Sequence, residues 1–548
     1  MSKKTSSNFL IQGSILAIAG VLVRIIGIIY RIPLNNILGD EGITYYSAAY
    51  DIYSIMLLIS SQSMPIAVSK LVSSKVVLKE YKNASRFLIG AIVFSAMLGL
   101  IVSTITFVFA DELASFLTYP AAAPALKILA PTLMIMSILG VLRGYFQGLG
   151  SMIPTALSQI LEQIANAIVS VVAAYQLFHI GEKVNEAKNA TMYSYAYSAA
   201  GGTLGTCIGA LTALIFMIFV FYAYQGIYKR QLARDRSRYI MGYSQVAKLL
   251  GVTILPVLLS TTIYNFSNLI DSSIFGNIMK WLGMNTVERS STWGVYSGKY
   301  RLLTTIPIAI ASSLSSSIIP SLISSYSMGD KKQVKYKIRS SVQFTMILAL
   351  PCGFGLMALG VPVLNLLFAN TNMEIGANLM KFSVLTVVSF SLSTITNSVL
   401  QGTDHLRIPV KNAAISLAIH LVLLPFLMVV CKLNIYGVII ADVLFAGVVC
   451  YLNQRALRKY LGYRQELKRT FILPTIASVI MAAAAWICYK LLYLVIPVNA
   501  FCTVVAIGLA AVIYFMLILL LGVVNERTLL SFPKGTILVK LAKKFHLL

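Results

Sequence analysis

The chain has 548 residues, 58% of them hydrophobic and 11% charged, with a mean hydropathy of +0.82, a balance that excludes a soluble globular protein of this size. A net charge of +26 would suit a nucleic-acid partner only if the basic residues shared one face or one polar segment; they lie instead between hydrophobic runs, so no nucleic-acid partner is expected. The runs recur from Leu10 to Val523, each about 20 residues and so long enough as a helix to cross a hydrocarbon core of about 30 Å, and helices satisfy their own backbone groups where lipid offers none.

In chain order the expected spans are 10–30, 43–69, 87–110, 126–148, 154–178, 197–224, 247–279, 293–324, 342–368, 380–402, 410–431, 435–455, 471–493 and 498–523, about 14 in all. Lys3, Lys4 and Ala17-Ile18-Ala19 superficially fit a cleaved leader, but the apolar run continues through Ile29, so the first span is read as retained. With the N-terminus placed inside, about 32 of the 44 Lys and Arg fall in cytoplasmic segments and about 9 outside, as positive-inside topology requires. The main carriers are Lys70 to Arg86, Lys229 to Arg238, Lys331 to Arg339, Arg455 to Arg469 and the tail from Arg527 to Lys544. An even span count returns the C-terminus to the cytoplasm, which agrees with that tail, and the localisation expected is the bacterial cytoplasmic membrane. The longest outer loops, 179–196 and 280–292, are too short for a soluble domain. Cys207, Cys352, Cys431, Cys450, Cys488 and Cys502 show no metal or redox spacing, and no metal or other cofactor is expected.

An internal repeat shows at a spacing of about 254 residues. Lys127 lies twenty residues before Gln147-Gly148, as Lys381 does before Gln401-Gly402, and Ser63-Met64-Pro65 corresponds to Ile318-Ile319-Pro320. The expected architecture is therefore an all-α membrane protein of two pseudo-repeated six-helix lobes, 1–228 and 247–457, joined by a basic cytoplasmic linker, 229–246, and followed by two further helices and a basic tail, 458–548.

Ionisable groups inside a membrane are costly and mark functional candidates. Here they are Arg24, Asp51, Glu162, Asp271, Lys299, Arg301 and Asp442. At about 1.5 Å per residue, Arg24 lies about 9 Å, and Asp51, Arg301 and Asp442 each about 12 Å, from the outer ends of their spans, with Asp271 at a similar level. The coincidence suggests a polar layer lining a cavity. Arg24, Arg301 and Lys299 form a cationic set suited to a phosphate headgroup, since a guanidinium stays charged when desolvated and grips two oxygens at once. The alternative is static pairing between helices, Arg24 with Asp51 above all, and Lys299 could also snorkel to the outer interface. Asp271, preceded by Asn265, Ser267 and Asn268, and Asp442 could hold Na⁺ or a proton and couple transport to it; dependence on membrane potential is a further option. Glu162, with Gln159 and Gln163, reads as a bond between neighbouring helices. Ser312, Ser313, Ser315, Ser316 and Ser317 read as small-residue packing. The four histidines, His179, His405, His420 and His546, form no cluster.

Two stretches carry a family resemblance: RGYFQGLGSMIPTALSQILEQ from Arg143, and YRLLTTIPIAIASSLSSSIIPSLISS from Tyr300, where an arginine is followed six residues later by proline. The chain resembles, over essentially its whole length, the MurJ-type lipid II flippases and the related sporulation-type polysaccharide exporters of the multidrug/oligosaccharidyl-lipid/polysaccharide exporter superfamily. The resemblance implies a MATE/MurJ-like fold of 14 helices, lobes rocking around a cationic cavity, and helices 13 and 14 forming a groove for a polyprenyl tail. It makes Arg301 the helix 8 cavity arginine and places Arg24 and Arg31 near two helix 1 arginines; Asp51 is a candidate headgroup contact on its intramembrane charge alone. Two departures stand out: Arg24 and Arg31 are seven residues apart rather than six, and helix 2 carries Tyr45, Tyr46, Tyr50 and Tyr53 where basic residues are expected. The function implied is a flippase for a lipid-linked saccharide, most simply the undecaprenyl-diphosphate precursor of peptidoglycan, acting as a monomer among membrane lipids with cell-wall synthesis proteins as candidate partners. Another lipid-linked polysaccharide is the alternative, and a drug/cation antiporter would need an acid-dominated cavity. A glycosyltransferase would need paired catalytic acids, whereas the outer loops offer only Asp111, Glu112, Glu182, Glu186, Glu288 and Glu374, so the chain is not expected to be an enzyme. A non-transporting scaffold would leave the buried arginines without purpose.

Overall fold

The computed structural model describes residues 3–237, 239–368, 372–403, 405 and 407–524, with side chains left out at 3–18, 255–268, 311–321, 324 and 327. The basic tail, the asparagines and serine before Asp271, the serine cluster of helix 8 and Ile318-Ile319-Pro320 thus lie outside the described side chains. Among the described residues the regular structure is helical, and eleven helices are long and apolar enough to cross a membrane. The protein is a multi-span membrane protein, as composition requires.

Packing divides the chain into two units, up to Gly294 and from Val295. The first holds α1 (Lys3–Leu57), α2 (Met64–Val77), α3 (Tyr81–Val108), α4 (Ala110–Phe116), α5 (Ala123–Gly148), α6 (Ile153–Lys188), α7 (Met192–Ala233), α8 (Tyr243–Trp281) and α9 (Thr286–Gly294). The helix expected to open the second lobe, α8, groups here with the first unit. Helix α1 covers the first expected span and the first part of the second: at 55 residues it is far too long for one crossing, and it breaks at Gly39, whose φ of +63° suits glycine alone. A π-helical turn, Leu58–Gln62, then leads into α2. That helix meets α5 along Gly140, Gly144 and Gly148, spaced four apart on one face; a Cβ at Gly144 would come within 2.8 Å of the Pro65 carbonyl oxygen and one at Gly148 within 2.9 Å of Val72. Met64, Val68, Val72, Phe87, Leu142 and Phe146 fill the core behind this contact.

The expected outer loop 179–196 is instead a helical hairpin: α6 runs to Lys188, Asn189 turns with φ +46°, and α7 starts at Met192. Helical hydrogen bonding does not stop where hydrophobicity does, so helices extend past their apolar runs until a turn residue ends them. The linker 229–246 is similarly ordered. Asn83 Nδ2 donates to the Tyr239 carbonyl at 2.8 Å, the Met241 amide donates back to Asn83 Oδ1 at 2.9 Å, and the Lys82 amide donates to Asp235 at 2.9 Å. Beside them, the Lys75 ammonium and the Asn83 amide donate to Glu80 and hold its carboxyl below the usual range.

The second unit opens on a π-helical turn, Val295–Tyr300, and continues through α10 (Arg301–Ser327), α11 (Lys331–Leu367), α12 (Met373–Met380), α13 (Ser383–Gly402), α14 (Arg407–Val429), α15 (Asn434–Leu461), a π-helical turn at Lys468–Ile472, α16 (Leu473–Val495) and α17 (Asn499–Leu520). Both glycines of the repeat, Gly148 and Gly402, are the last residues of their helices. A buried amide network joins α13, α14 and α15: Asn412 donates to Asn453 at 2.9 Å, and Asn453 donates to Thr396 at 3.0 Å and Asn397 at 2.8 Å. Helices α16 and α17 pack on α11 through Ala477, Met481, Ala485, Ala506 and Tyr514, and the Tyr514 hydroxyl donates to the Ile347 carbonyl at 2.8 Å.

Candidate functional site

The charged residues singled out above are divided between the two units. In the first, Arg24 and Arg31 lie two turns apart on the first leg of α1, both exposed, and a spacing of seven keeps them on one face of the helix. Arg31 stands within electrostatic reach of the hydroxyls of Tyr30, Tyr46 and Tyr50. Tyr50 bonds Thr206 of α7, and Asn166 of α6 donates to Tyr30 at 3.4 Å. Tyr46 and Tyr50 lie 4.6 Å apart, and Tyr53 meets Tyr50 edge-on at 5.7 Å. Two of the tyrosines that stand where the resemblance expects basic residues, Tyr46 and Tyr50, are thus within electrostatic reach of the arginine of the preceding leg. Asp51 is half-buried on the second leg, and Asp271 is buried in α8.

Glu162 takes the bridging role expected of it, with a partner the sequence did not single out. Arg143 of α5, 7% exposed, donates to Glu162 Oε2 at 2.7 Å and to Ser158 Oγ at 2.8 Å. This is a buried ion pair with its fork filled. The two residues lie on opposite sides of the short turn between α5 and α6, and that spacing was the available signal.

In the second unit the π-helical turn presents Tyr296, Lys299 and Tyr300 just before Arg301. Such turns widen the helix and re-aim its side chains. The Arg301 guanidinium lies over the Tyr296 ring, 5.9 Å from its centre, and the Tyr296 hydroxyl donates to Asp442 on α15. Tyr300 stacks on Tyr296 at 5.9 Å and bonds Thr386 at 2.6 Å. Lys299 is buried, 1% exposed, with its ammonium 5.7 Å from the centre of the Phe368 ring; it does not snorkel. His420, which sequence reasoning set aside, is buried in α14, with a ring nitrogen within 4.8 Å of an Asp442 carboxylate oxygen. Asp442 thus has two neighbours that only folding brings to it. Elsewhere, a cavity of about 460 Å³ among α4 to α7, lined by Asp111, Ile128, Leu177, Tyr193 and Tyr197, holds none of these charges.

A helical membrane protein of two units, each with an arginine among tyrosines, belongs to a recognisable class. The chain matches the family described as polysaccharide biosynthesis protein over residues 10–326, more than half its length, and belongs to that family. It is 26% identical to the membrane protein YabM of Bacillus subtilis over 97% of this chain and 96% of that one, and 24% identical to the lipid II flippase MurJ of the same organism over 87% and 88%. Among solved structures, the lipid II flippase MurJ in an inward closed conformation superposes with a TM-score of 0.62 at 13% identity, covering 92% of this chain and 97% of that one. The chain has the fold of the MurJ-type transporters, and its flippase relatives are transport proteins rather than enzymes.

Proposed function

We propose that the protein moves an undecaprenyl-diphosphate-linked saccharide, in the first instance the peptidoglycan precursor lipid II, from the cytoplasmic to the outer leaflet by alternating access, with both termini in the cytoplasm. The observation that carries this reading is that exposed Arg24 and partly exposed Arg301 sit in otherwise apolar spans, with exposed Arg31 at the outer end of the first. A charged headgroup cannot cross hydrocarbon unaided, and guanidinium groups are the side chains best suited to a diphosphate in a low-dielectric site. Arg24 and Arg301 would take the diphosphate, with Arg31, Lys299 and Asp51 serving the headgroup region. Asp271 and Asp442 are the groups through which Na⁺, H⁺ or the membrane potential would couple to transport. One observation favours a second reading, a different lipid-linked polysaccharide: the tyrosines of the second leg of α1 replace the basic residues expected of a lipid II carrier.

The test is translocation of labelled lipid II across liposomes holding the purified protein. Wild type should move the lipid rapidly, and Arg301→Ala should slow it about 100-fold, the effect of losing a charge-assisted bidentate contact. A folded wild type that leaves lipid II in place, with or without an ion gradient, would hand the case to another lipid-linked glycan.

A further inference from the structure

We infer that the cavity of about 460 Å³ among α4 to α7 binds one glycerophospholipid of the outer leaflet, with an acyl chain inside it and the phosphodiester against Lys127 and Lys188 at its mouth. The inference takes the orientation proposed above and does not depend on which glycan is carried. The volume is that of a small-ligand site, and such sites are mostly apolar with a few placed polar groups. Ala123, Ala196 and Ala200, all buried, make a floor of small side chains, and Ile128, Leu177 and Tyr197 stand around it. A water-soluble ligand would find little here to bond, whereas a hydrocarbon chain gains from every apolar contact it covers.

Depth points the same way. Ala123 and Tyr193 lie just outside the expected spans 126–148 and 197–224, and Ile128 and Ala200 lie just within them, so the cavity straddles the outer interface. Tyr193 and Tyr197 on its wall are side chains favoured at that level. The walls are fixed by helix packing. A Cβ at Gly181 of α6 would come within 2.5 Å of Ser194 Cα, and one at Gly201 of α7 within 2.5 Å of the Ala173 carbonyl oxygen, so the two helices are pinned together on either side of Leu177 and Tyr197. Two cations mark the mouth. Lys127 donates to Asp111, which lines the cavity, at 2.7 Å, and Lys188 donates to the hydroxyl of Tyr193, which also lines it, at 3.5 Å. Two ammoniums and one carboxylate leave one positive charge, which the single negative charge of a phosphodiester matches. The flippase reading gives Lys127, the lysine of the internal repeat, no task of its own.

The test uses the purified full-length protein in maltoside micelles with a phosphatidylglycerol that carries a diazirine in one acyl chain; photolysis and peptide mapping then locate the chain. Labelling should concentrate on Leu177, Tyr193 and Tyr197 rather than on Ile215 and Phe219, exposed apolar residues of α7 that report surrounding lipid. Unlabelled phosphatidylglycerol should displace the label at least tenfold better than diacylglycerol, which has the chains without the phosphate, in line with a charge-assisted bond. Lys127→Gln combined with Lys188→Gln, both at the surface, should remove that preference. Ala200→Leu, which fills the floor, should cut labelling about tenfold at an unchanged circular dichroism spectrum, and the lysine pair keeps the test open where this variant does not fold. Labelling spread evenly along α7, equal displacement by diacylglycerol, or a lysine double variant that keeps the preference overturns the inference. Displacement by undecaprenyl phosphate at lower concentration than by phosphatidylglycerol overturns it too, and assigns the cavity to the carried lipid.

Discussion

Two arginines of the first unit, Arg143 and Arg31, have the same side chain and opposite settings. Arg143 is buried, its guanidinium spent on Glu162 and Ser158 of α6. Arg31 is exposed and ringed by uncharged hydroxyls. In the first case a matched acid keeps a charge that lipid would reject and makes it part of the scaffold; in the second, under the flippase reading, the guanidinium serves the headgroup. An arginine within a membrane span is therefore not by itself a substrate contact; its partner and its exposure decide.

The contrast breaks most sharply in stability. Arg143→Ala leaves Glu162 charged and poorly solvated, and should destabilise the protein by about 3 kcal/mol, the lower end for a buried pair because Glu162 keeps 24% of its side-chain surface. Glu162→Gln should do less, since the amide oxygen still accepts from Arg143. Thermal unfolding in detergent measures both. A melting temperature for Arg143→Ala equal to that of wild type would put Arg143 in the same class as Arg31.

A smaller effect tests the close packing of α5 on α2. Gly144→Ala puts a methyl against the Pro65 backbone at 2.8 Å, which cannot move aside as a flexible side chain can, and should cost about 1–3 kcal/mol. Gly150, one turn beyond α5, has nothing near it but needs φ +85°, so only its backbone preference resists substitution. Comparing Gly144→Ala with Gly150→Ala in the same unfolding assay separates steric closeness from conformational strain.

The sequence made much of the fold legible because lipid imposes a simple code: apolar runs become helices and basic loops mark their ends. The repeat glycines Gly148 and Gly402 were readable for the same reason, each closing a helix. Less legible was where a helix stops within one run. The polar stretch 31–42 separated the first two expected spans, but hydropathy did not show that the helix runs on through it and breaks at Gly39, which is a backbone property. Of the site, Arg24, Arg31 and Arg301 could be found from charge alone, but their surroundings could not. Tyr296 reaches Asp442 across 146 residues and Tyr50 reaches Thr206 across 156, and such pairings follow from helix packing that a single sequence does not display. Arg143 was overlooked because it sits where its span was expected to end, among cytoplasmic cations that need no explanation.

The smallest expected effect lies outside the membrane, where the linker is docked by ordinary polar contacts rather than lipid. Asn83 bonds both Tyr239 and Met241 while also donating to Glu80, so Asn83→Ala should release the 235–241 segment at a cost of about 1 kcal/mol per bond lost at most. Hydrogen exchange at these amides should quicken while unfolding of the spans stays unchanged. The sign of the pH dependence follows from Glu80. Its carboxyl is held below the ordinary range by Lys75 and Asn83, so its contribution is complete above the ordinary glutamate value of about 4.3 and is lost as the pH falls through the lower value of the folded protein. Protection factors in this segment, which correct for the pH dependence of intrinsic exchange, should fall on acidification and do so less in Glu80→Gln, which has no charge to lose. Equal acid sensitivity in both proteins would show that the linker is held by Asn83 alone.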